Sequence, residues 1–262
     1  MKIVVCIKQV PDTTEIKIDP VKNTLIRTGV PSIMNPFDKN ALETALRLKD
    51  SCGAKVTAIS MGPAQAKAVL REALAMGADE AYLVTDRAFG GSDTYATSYI
   101  LSQVIRKLGP FDVILGGKQA IDGDTGQTAP SIAEHLDAAR LTYVLDLTVE
   151  GDKVLAQRQV EEGVEVVETS LPVLCTVTKE SNKPRYATIK RKIAYLKAEI
   201  PEITLADLPD ADVSKMGLKG SPTKVKATFT PKRTAEGVMI GGSTPAEIAV
   251  SLLDTLAEAK IL

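Results

Sequence analysis

Short β-branched apolar segments alternate with amphipathic helical segments through the first half of the chain, and this alternation limits the fold more than any other feature. Four such segments predict buried strands: residues 3–7, 56–60, 81–84 and 113–115. Helices are predicted to begin at Asn35-Pro36, at Gly62-Pro63, near Ser92 and at Thr128, with the last ending near residue 136. Because strands separated by helices pair in parallel, the pattern predicts an α/β fold with a Rossmann-like, mostly parallel sheet wrapped by helices.

The pattern changes after about residue 140. Residues 142–150 and 153–160 flank Gly151-Asp152, which predicts an added antiparallel hairpin. Residues 164–169 and 173–178 add further extended chain. From about Lys183 the alternation is lost and prolines accumulate, which predicts an extended C-terminal arm. The arm ends in one helix with a capping box at Thr244 and Glu247.

The charge balance and the scarcity of some side chains exclude several classes of function. Lys and Arg number 32 against 33 Asp and Glu, and aromatics are only 4%, which argues against a nucleic-acid-binding protein. Three Cys without a CxxC pair and a single His argue against a disulfide framework, a metal site and a His-dependent triad. No apolar run approaches the roughly 18 residues of a membrane span, and the N-terminal apolar segment is too short for a signal peptide. We therefore expect a cytoplasmic protein that binds no membrane.

A glycine-rich loop between the fourth strand and the fourth helix is the strongest candidate site. It covers residues 116–127. Glycines allow backbone N–H groups to approach a phosphate, and a helix N-terminus favours an anion. The loop matches neither a P-loop nor an EF-hand, and no GxGxxG follows the first strand. By these residues alone, an ordinary strand–helix loop is as good an interpretation as a nucleotide site.

Two other loops are expected at the same edge of the sheet. Residues 60–63 follow the second strand, and Asn35-Pro36 opens the first helix. Each by itself is typical of a helix start. Together with the glycine-rich loop they form the convergent polar edges that a mononucleotide site requires.

A basic segment is the second candidate. Residues 183–197 contain no acid and six positive charges, at Lys183, Arg185, Lys190, Arg191, Lys192 and Lys197. Such a segment is either a solvated basic face or a docking surface for an acidic partner or an anionic cofactor. Tyr186 adds an aromatic anchor, which favours docking.

Six motifs in a fixed order extend over nearly the whole chain. They are VCIKQVPDT at 5–13, MNPFD at 34–38, MGPAQ at 61–65, ALAMGAD at 73–79, GKQAID at 117–122 and PRYAT at 184–188. This set resembles the beta subunit of the electron transfer flavoproteins.

The resemblance implies a heterodimer with an alpha subunit that carries FAD. In the simple branch of that family, which only carries electrons, the beta subunit holds a structural AMP. In the electron-bifurcating branch a second FAD takes its place and accepts hydride from NADH. Residues 10–13 and 122–127 resemble the bifurcating branch. Its electrons go to ferredoxin or flavodoxin and, through the alpha-subunit FAD, to a flavin-containing dehydrogenase of the acyl-CoA or hydroxy-acid type.

The resemblance also implies a division of the chain. We expect a nucleotide-binding or flavin-binding domain over residues 1–190 and an arm over residues 191–262 that packs on the alpha subunit. A non-catalytic nucleotide sensor with the same fold is a further alternative. No residue of this chain is expected to act as a catalytic acid or base.

The resemblance also implies which residues of this chain form the sites, position by position. The resemblance places the nucleotide at Cys6, Lys8, Asn35, Met61, Gly62, Gly117, Lys118, Gln119, Asp122, Gly123, Asp124, Thr125, Gly126, Gln127, Thr128 and Pro130. It places partner recognition at Pro184, Arg185, Tyr186, Ala187, Thr188, Ile189 and Lys190. Tyr186 is predicted to be the anchor there, with Arg185 and Lys190 as steering charges.

Overall fold

A computed structural model describes residues 1–12, 31–227 and 237–262. Thr13 and the part of the arm between residues 228 and 236 lie outside the described residues. The chain divides into two compact units, Met1–Lys226 and Ala227–Leu262. The sites discussed below belong to the first unit.

One sheet forms the centre of the first unit, with its strands in the order β11-β5-β4-β1-β6-β10-β7-β8-β9. The strands are β1 (Lys2–Cys6), β4 (Lys55–Met61), β5 (Glu80–Val84), β6 (Val113–Gly117), β7 (Ala139–Glu150), β8 (Lys153–Val160), β9 (Gly163–Ser170), β10 (Val173–Val177) and β11 (Glu202–Ile203). Pairing is parallel from β11 to β7 and antiparallel between β7, β8 and β9. A separate antiparallel pair joins β2 (Gln9–Pro11) to β3 (Ser32–Met34). The predicted α/β fold with an added hairpin is confirmed.

Helices cover both faces of the sheet. The helices of the first unit are α1 (Pro36–Cys52), α2 (Lys67–Met76), α3 (Thr94–Leu108), α4 (Thr128–Leu136), α5 (Ile189–Tyr195) and α6 (Gly217–Gly220). The second unit contains α7 (Pro245–Glu258). Alternate residues of β1 point to opposite faces, so that Ile3 and Val5 pack with α1 and α2, and Val4 packs with α3 and α4. No helix in the described ranges is long and apolar enough to cross a membrane.

The position of β10 in the sheet departs from the chain order of the strands, and the sequence pattern does not reveal it. β10, predicted only as further extended chain, lies between β6 and β7 and pairs in parallel with both. Its five residues are all buried, because the sheet continues on either side of it. The hairpin strands β8 and β9 therefore lie at the outer edge.

Residues 191–226 belong to the first unit and contain secondary structure. β11 pairs with β5 and extends the sheet at the opposite edge from β9. Arg191 binds the backbone oxygens of Leu74 and Ala75 at the end of α2. The first compact unit therefore includes residues 191–226, and the second begins at Ala227. The expected functional division at residue 190 stays a prediction.

Candidate functional site

The carboxyl ends of β1 and β6 form the switch point of the sheet. From β1 the chain proceeds to β4 on one side and later returns to β6 on the other side. Ligands of open α/β sheets bind in the crevice at such a point. Cys6 ends β1, Met61 ends β4 and Gly117 ends β6, so the strands bring these predicted residues to one edge.

Asp38, in the first turn of α1, forms hydrogen bonds with two backbone segments at this edge. Its carboxylate is buried, and Oδ2 accepts a hydrogen bond of 2.7 Å from the backbone N–H of Lys8. Oδ1 accepts one of 3.0 Å from the backbone N–H of Gly117. One side chain thus joins the segments that follow β1 and end β6. From the sequence, Asp38 is predicted only as a favourable acid at a helix start, and nothing local indicates its partners.

Gly117 lies directly against the start of α1. A Cβ atom built at this position would lie 2.5 Å from the Cβ of Phe37, 2.5 Å from Oδ1 of Asp38 and 2.7 Å from its backbone nitrogen. Real Cβ atoms essentially never come so close to other atoms. Only glycine therefore fits here without moving the helix or the strand.

Asn35 fixes the glycine-rich loop. Its side chain is fully buried and does not cap α1. Nδ2 instead donates to the backbone oxygen of Gln119 at 2.8 Å, and Oδ1 accepts from the backbone N–H of Ile121 at 3.3 Å. Asn35 therefore lies at the predicted start of α1, but its side-chain amide binds the loop and does not cap the helix.

The loop places a row of backbone donors at the start of α4. Asp124 and Gly126 adopt positive φ angles of 50° and 63°. Among the described residues, no acceptor is found for the backbone N–H groups of Thr125, Gly126, Gln127, Thr128 and Ala129. A phosphate favours such a row of N–H groups, because they carry the positive end of the helix dipole. The arrangement fits the phosphates of a nucleotide.

Lys8 and Asp122 meet across the crevice. Lys8 Nζ lies 2.7 Å from Asp122 Oδ1, and both side chains are partly exposed. Gln119 Nε2 donates to Asp124 Oδ1 at 2.8 Å, which supports the same turn. The predicted site residues after β1 and β6 are thus brought into direct contact.

A cleft of about 390 Å³ opens beside the loop. That volume is within the ~300–1,000 Å³ range of small-molecule sites. Its lining combines predicted residues with others that the sequence did not indicate: Lys118, Gly126, Gln127, Pro130, Ser131, Glu134, Arg140, Thr142, Tyr143 and Thr176. Cys6, Lys8, Asn35, Met61 and Gly62 do not line it.

Tyr143 is the unusual residue of this cleft. It has a φ of 59°, which is rare for a bulky residue, at an irregularity in the β7–β10 register. Its backbone N–H donates to Thr176 Oγ1 at 3.0 Å, and Lys118 Nζ lies 4.9 Å from the centre of its ring. Sequence reasoning missed Tyr143 because its neighbours come from strands whose pairing the sequence does not reveal.

The basic segment contains exposed side chains and one arginine that is bound within the chain. Tyr186 is 91% exposed, Ile189 at the start of α5 is 78% exposed, and Lys190 is exposed as well. Arg185, in contrast, is bound by Glu43 and Asp50 of α1. Tyr186 and Lys190 are therefore exposed to solvent, whereas Arg185, the predicted steering charge, is paired within the chain.

Comparison with known proteins identifies the family. The model of the "Electron transfer flavoprotein domain" family matches residues 22–208.

The chain belongs to the electron transfer flavoprotein family.

Whole-chain comparisons show which subunit it is. The electron transfer flavoprotein subunit beta of Thermoanaerobacterium thermosaccharolyticum is 56% identical over 93% of both chains. That of Megasphaera elsdenii is 52% identical over the full length of both. The caffeyl-CoA reductase-Etf complex subunit CarD of Acetobacterium woodii is 49% identical, again over both full lengths. This chain is accordingly an electron transfer flavoprotein beta subunit.

Two groups at the carboxyl edge of this beta subunit have strongly shifted pKa values. Burial, with a contribution from the Asp38 carboxylate, raises the pKa of the Cys6 thiol to about 12. Cys6 therefore remains a neutral thiol at pH 7, as expected for a packing residue and not for a nucleophile. Burial also raises the pKa of Asp38 to about 7, against the opposing effect of its hydrogen bonds from Lys8 and Gly117.

The Asp38 shift predicts a dependence of stability on pH. Since its folded pKa exceeds its ordinary value of 3.8, the folded chain retains a proton that the unfolded chain has released. The protonated Asp38 side chain therefore stabilises the folded chain at low pH, and this contribution to the free energy of unfolding is lost as the pH rises from about 4 to about 7. Asp38→Asn does not titrate, so the advantage of the wild type over this variant should shrink by at most about 1.4 kcal/mol per pH unit.

The measurement is urea denaturation of wild type and Asp38→Asn at several pH values across that range. Asp112→Asn is the control, because Asp112 also accepts a backbone hydrogen bond, from Lys2, but at an exposed position. A wild-type advantage that stays constant with pH would show that Asp38 titrates normally.

Proposed function

We propose that this beta subunit binds FAD at the carboxyl edge of the sheet and takes part in flavin-based electron bifurcation. The observation that carries the proposal is the row of backbone N–H groups from Thr125 to Ala129 at the start of α4, for which the described part of the chain offers no acceptor. The pyrophosphate of FAD would accept hydrogen bonds from these groups, and the Thr125 hydroxyl would add a further donor. Bound FAD supplies hydride acceptance and one-electron transfer, which no side chain of this protein provides.

The residues of the chain bind and orient the cofactor. Asn35 holds the loop that presents the donors, and Asp38 holds the strand ends beneath it. Lys118 and Arg140 place positive charge in the adjoining cleft, although Arg140 also pairs with Glu134 at 3.0 Å. These groups favour an anionic ligand and require no proton transfer from the protein.

The bifurcating role is supported by resemblance and by one relative. Residues 122–127 resemble the corresponding loop of the bifurcating branch. CarD, by its name, belongs to a complex of caffeyl-CoA reductase with Etf. In the proposed role the complex oxidises NADH and divides its electrons between ferredoxin or flavodoxin and a dehydrogenase of the acyl-CoA or hydroxy-acid type. The simple carrier, with AMP in the same place, is the alternative that the same loop accommodates.

Two surfaces are proposed to meet protein partners. The segment 184–190 would dock the dehydrogenase, with Tyr186 as anchor. The second compact unit would pack on the FAD-carrying alpha subunit, because α7 exposes Leu252 and Leu253 at 44% and 55%. We place the complex in the cytoplasm, where a reducing environment suits the free cysteines.

Counting flavins tests the proposal. The chain is co-expressed with its alpha subunit, the heterodimer is purified, and released flavin and adenine nucleotide are quantified by chromatography. Two FAD per heterodimer are expected, together with flavin reduction by NADH. One FAD and one AMP would identify the simple carrier, and a stable chain that binds no flavin and no alpha subunit would indicate the sensor.

A further inference from the structure

A buried carboxylate on α1 binds the residue immediately before Tyr186. Glu43 is only 4% exposed. Its Oε2 accepts hydrogen bonds from the backbone N–H of Arg185 at 3.0 Å and from Arg185 Nε at 2.9 Å. Its Oε1 accepts from Arg185 Nη2 at 3.2 Å, and the same Nη2 donates to Asp50 Oδ2 at 2.7 Å. Both the main chain and the guanidinium of Arg185 are thereby fixed to one helix.

A second set of bonds holds the chain three residues earlier. Asn182 Nδ2 donates to the backbone oxygen of Asn40 at 3.1 Å and to Thr44 Oγ1 at 3.0 Å. Asn40 Nδ2 donates in return to the backbone oxygen of Asn182 at 2.8 Å. Residues 182 and 185 are therefore both tied to α1, and only Lys183 and Pro184 lie between them.

The exposed groups that follow lie between this attachment and the bonds from Arg191 to the end of α2. Tyr186 and Ile189 present most of their surface to solvent, whereas the two residues tied to α1 lie against the helix. Bidentate Arg–carboxylate pairs have both strength and a fixed geometry, which a lysine or a single hydrogen bond does not reproduce. Binding weakens when a loop must be ordered on association, so a segment ordered beforehand binds better.

We infer that Arg185 and Glu43 are positioning residues of the docking segment: they hold Tyr186 and Ile189 in the arrangement that a dehydrogenase meets, and Arg185 does not itself steer the partner. This inference rests on the proposed docking role of residues 184–190. It assigns the steering charge to Lys190, which is exposed.

The test uses the heterodimer with Glu43→Gln, Arg185→Lys and the double variant. Amide hydrogen exchange is followed over residues 183–196, and the affinity for a purified short-chain acyl-CoA dehydrogenase is measured at two salt concentrations. Each single variant should speed exchange in the segment and weaken binding about tenfold, or about 1.4 kcal/mol. The double variant should bind no more weakly than the weaker of the two single variants, because both single variants disrupt the same Glu43–Arg185 pair. The salt dependence of binding should remain that of the wild type.

Lys190→Gln is the matched control, since it removes an exposed cation from the same segment. It should leave exchange unchanged and reduce the salt dependence of association. Asp50→Asn removes only the exposed partner of Arg185, so it should weaken binding and speed exchange less than Glu43→Gln does. It replaces Glu43→Gln in the test if that variant does not fold.

Two results would overturn the inference. One is unchanged exchange and affinity in Glu43→Gln and Arg185→Lys while Tyr186→Ala weakens binding. The other is an Arg185→Gln variant that lowers the salt dependence as Lys190→Gln does. Failure of the docking role itself would look different, because Tyr186→Ala would then leave the affinity unchanged even though exchange in Glu43→Gln is accelerated.

Discussion

Replacing Gly117 by alanine is expected to remove the FAD that we propose at the beta site, while the FAD proposed on the alpha subunit stays bound. The added methyl carbon would lie 2.5 Å from the Cβ of Phe37 and 2.5 Å from Oδ1 of Asp38. It would also lie 2.7 Å from the backbone nitrogen of Asp38, which cannot move without moving the helix. Either α1 or the end of β6 must move, so the loop that presents the free N–H groups moves with it. Overpacking of this kind costs about 1–3 kcal/mol of stability, so we also expect a lower melting temperature.

Gly241→Ala is the matched control for this prediction. Gly241 lies in the second unit and outside the predicted site, a Cβ atom there meets nothing within 4 Å, and no positive φ is required. Flavin content after desalting and thermal unfolding are measured for both variants. If Gly117→Ala retains two flavins with wild-type stability, the carboxyl edge is not the site of the second FAD.

Truncation of Tyr186 to alanine is expected to cost about 2 kcal/mol of affinity for the dehydrogenase, or roughly 30-fold. An exposed aromatic side chain held on an ordered segment has the features of an interface anchor, because it buries a large area and loses little conformational entropy. Flavin content should not change, since the segment does not line the nucleotide cleft.

Calorimetry with the purified heterodimer and dehydrogenase measures this effect, with an absorbance spectrum of each variant. Val166→Ala on β9 is the control, because Val166 is an apolar side chain that is 61% exposed on a different surface element. Lys190→Glu should slow association, and that effect should fade as salt screens the charge. Loss of beta-site flavin with unchanged affinity in Tyr186→Ala would assign the segment to the cofactor.

Much of the fold could be predicted because its signals are local. The apolar segments near residues 3, 56, 81 and 113 each form a strand of the parallel sheet. The helix from Thr128 to Leu136 has the predicted bounds, and Gly53 ends α1 with a φ of 68°. Burial periodicity, caps and turn residues act within a few positions of the chain, so a single sequence displays them.

The candidate site could be predicted only in part. The glycine-rich loop is recognisable because its residues are consecutive, and it leads into a helix as expected. The assignment of its residues to a nucleotide stays a prediction, supported by the free N–H groups. Arg185 illustrates the limit, because its charge is visible in the sequence but its engagement by Glu43 is not.

The sequence by itself thus determined the first four strands of the parallel sheet, the helices between them, the hairpin, the α/β class, the candidate loop and the family. Only the tertiary structure decided that β10 lies inside the sheet, that Asp38 joins β1 to β6, and that Tyr143 meets Lys118. The Asp38 bond to Gly117 spans 79 positions and the Arg185 bond to Glu43 spans 142. Such partners are set by the order in which strands pair and helices pack, and the local periodicity of one sequence carries no record of that order.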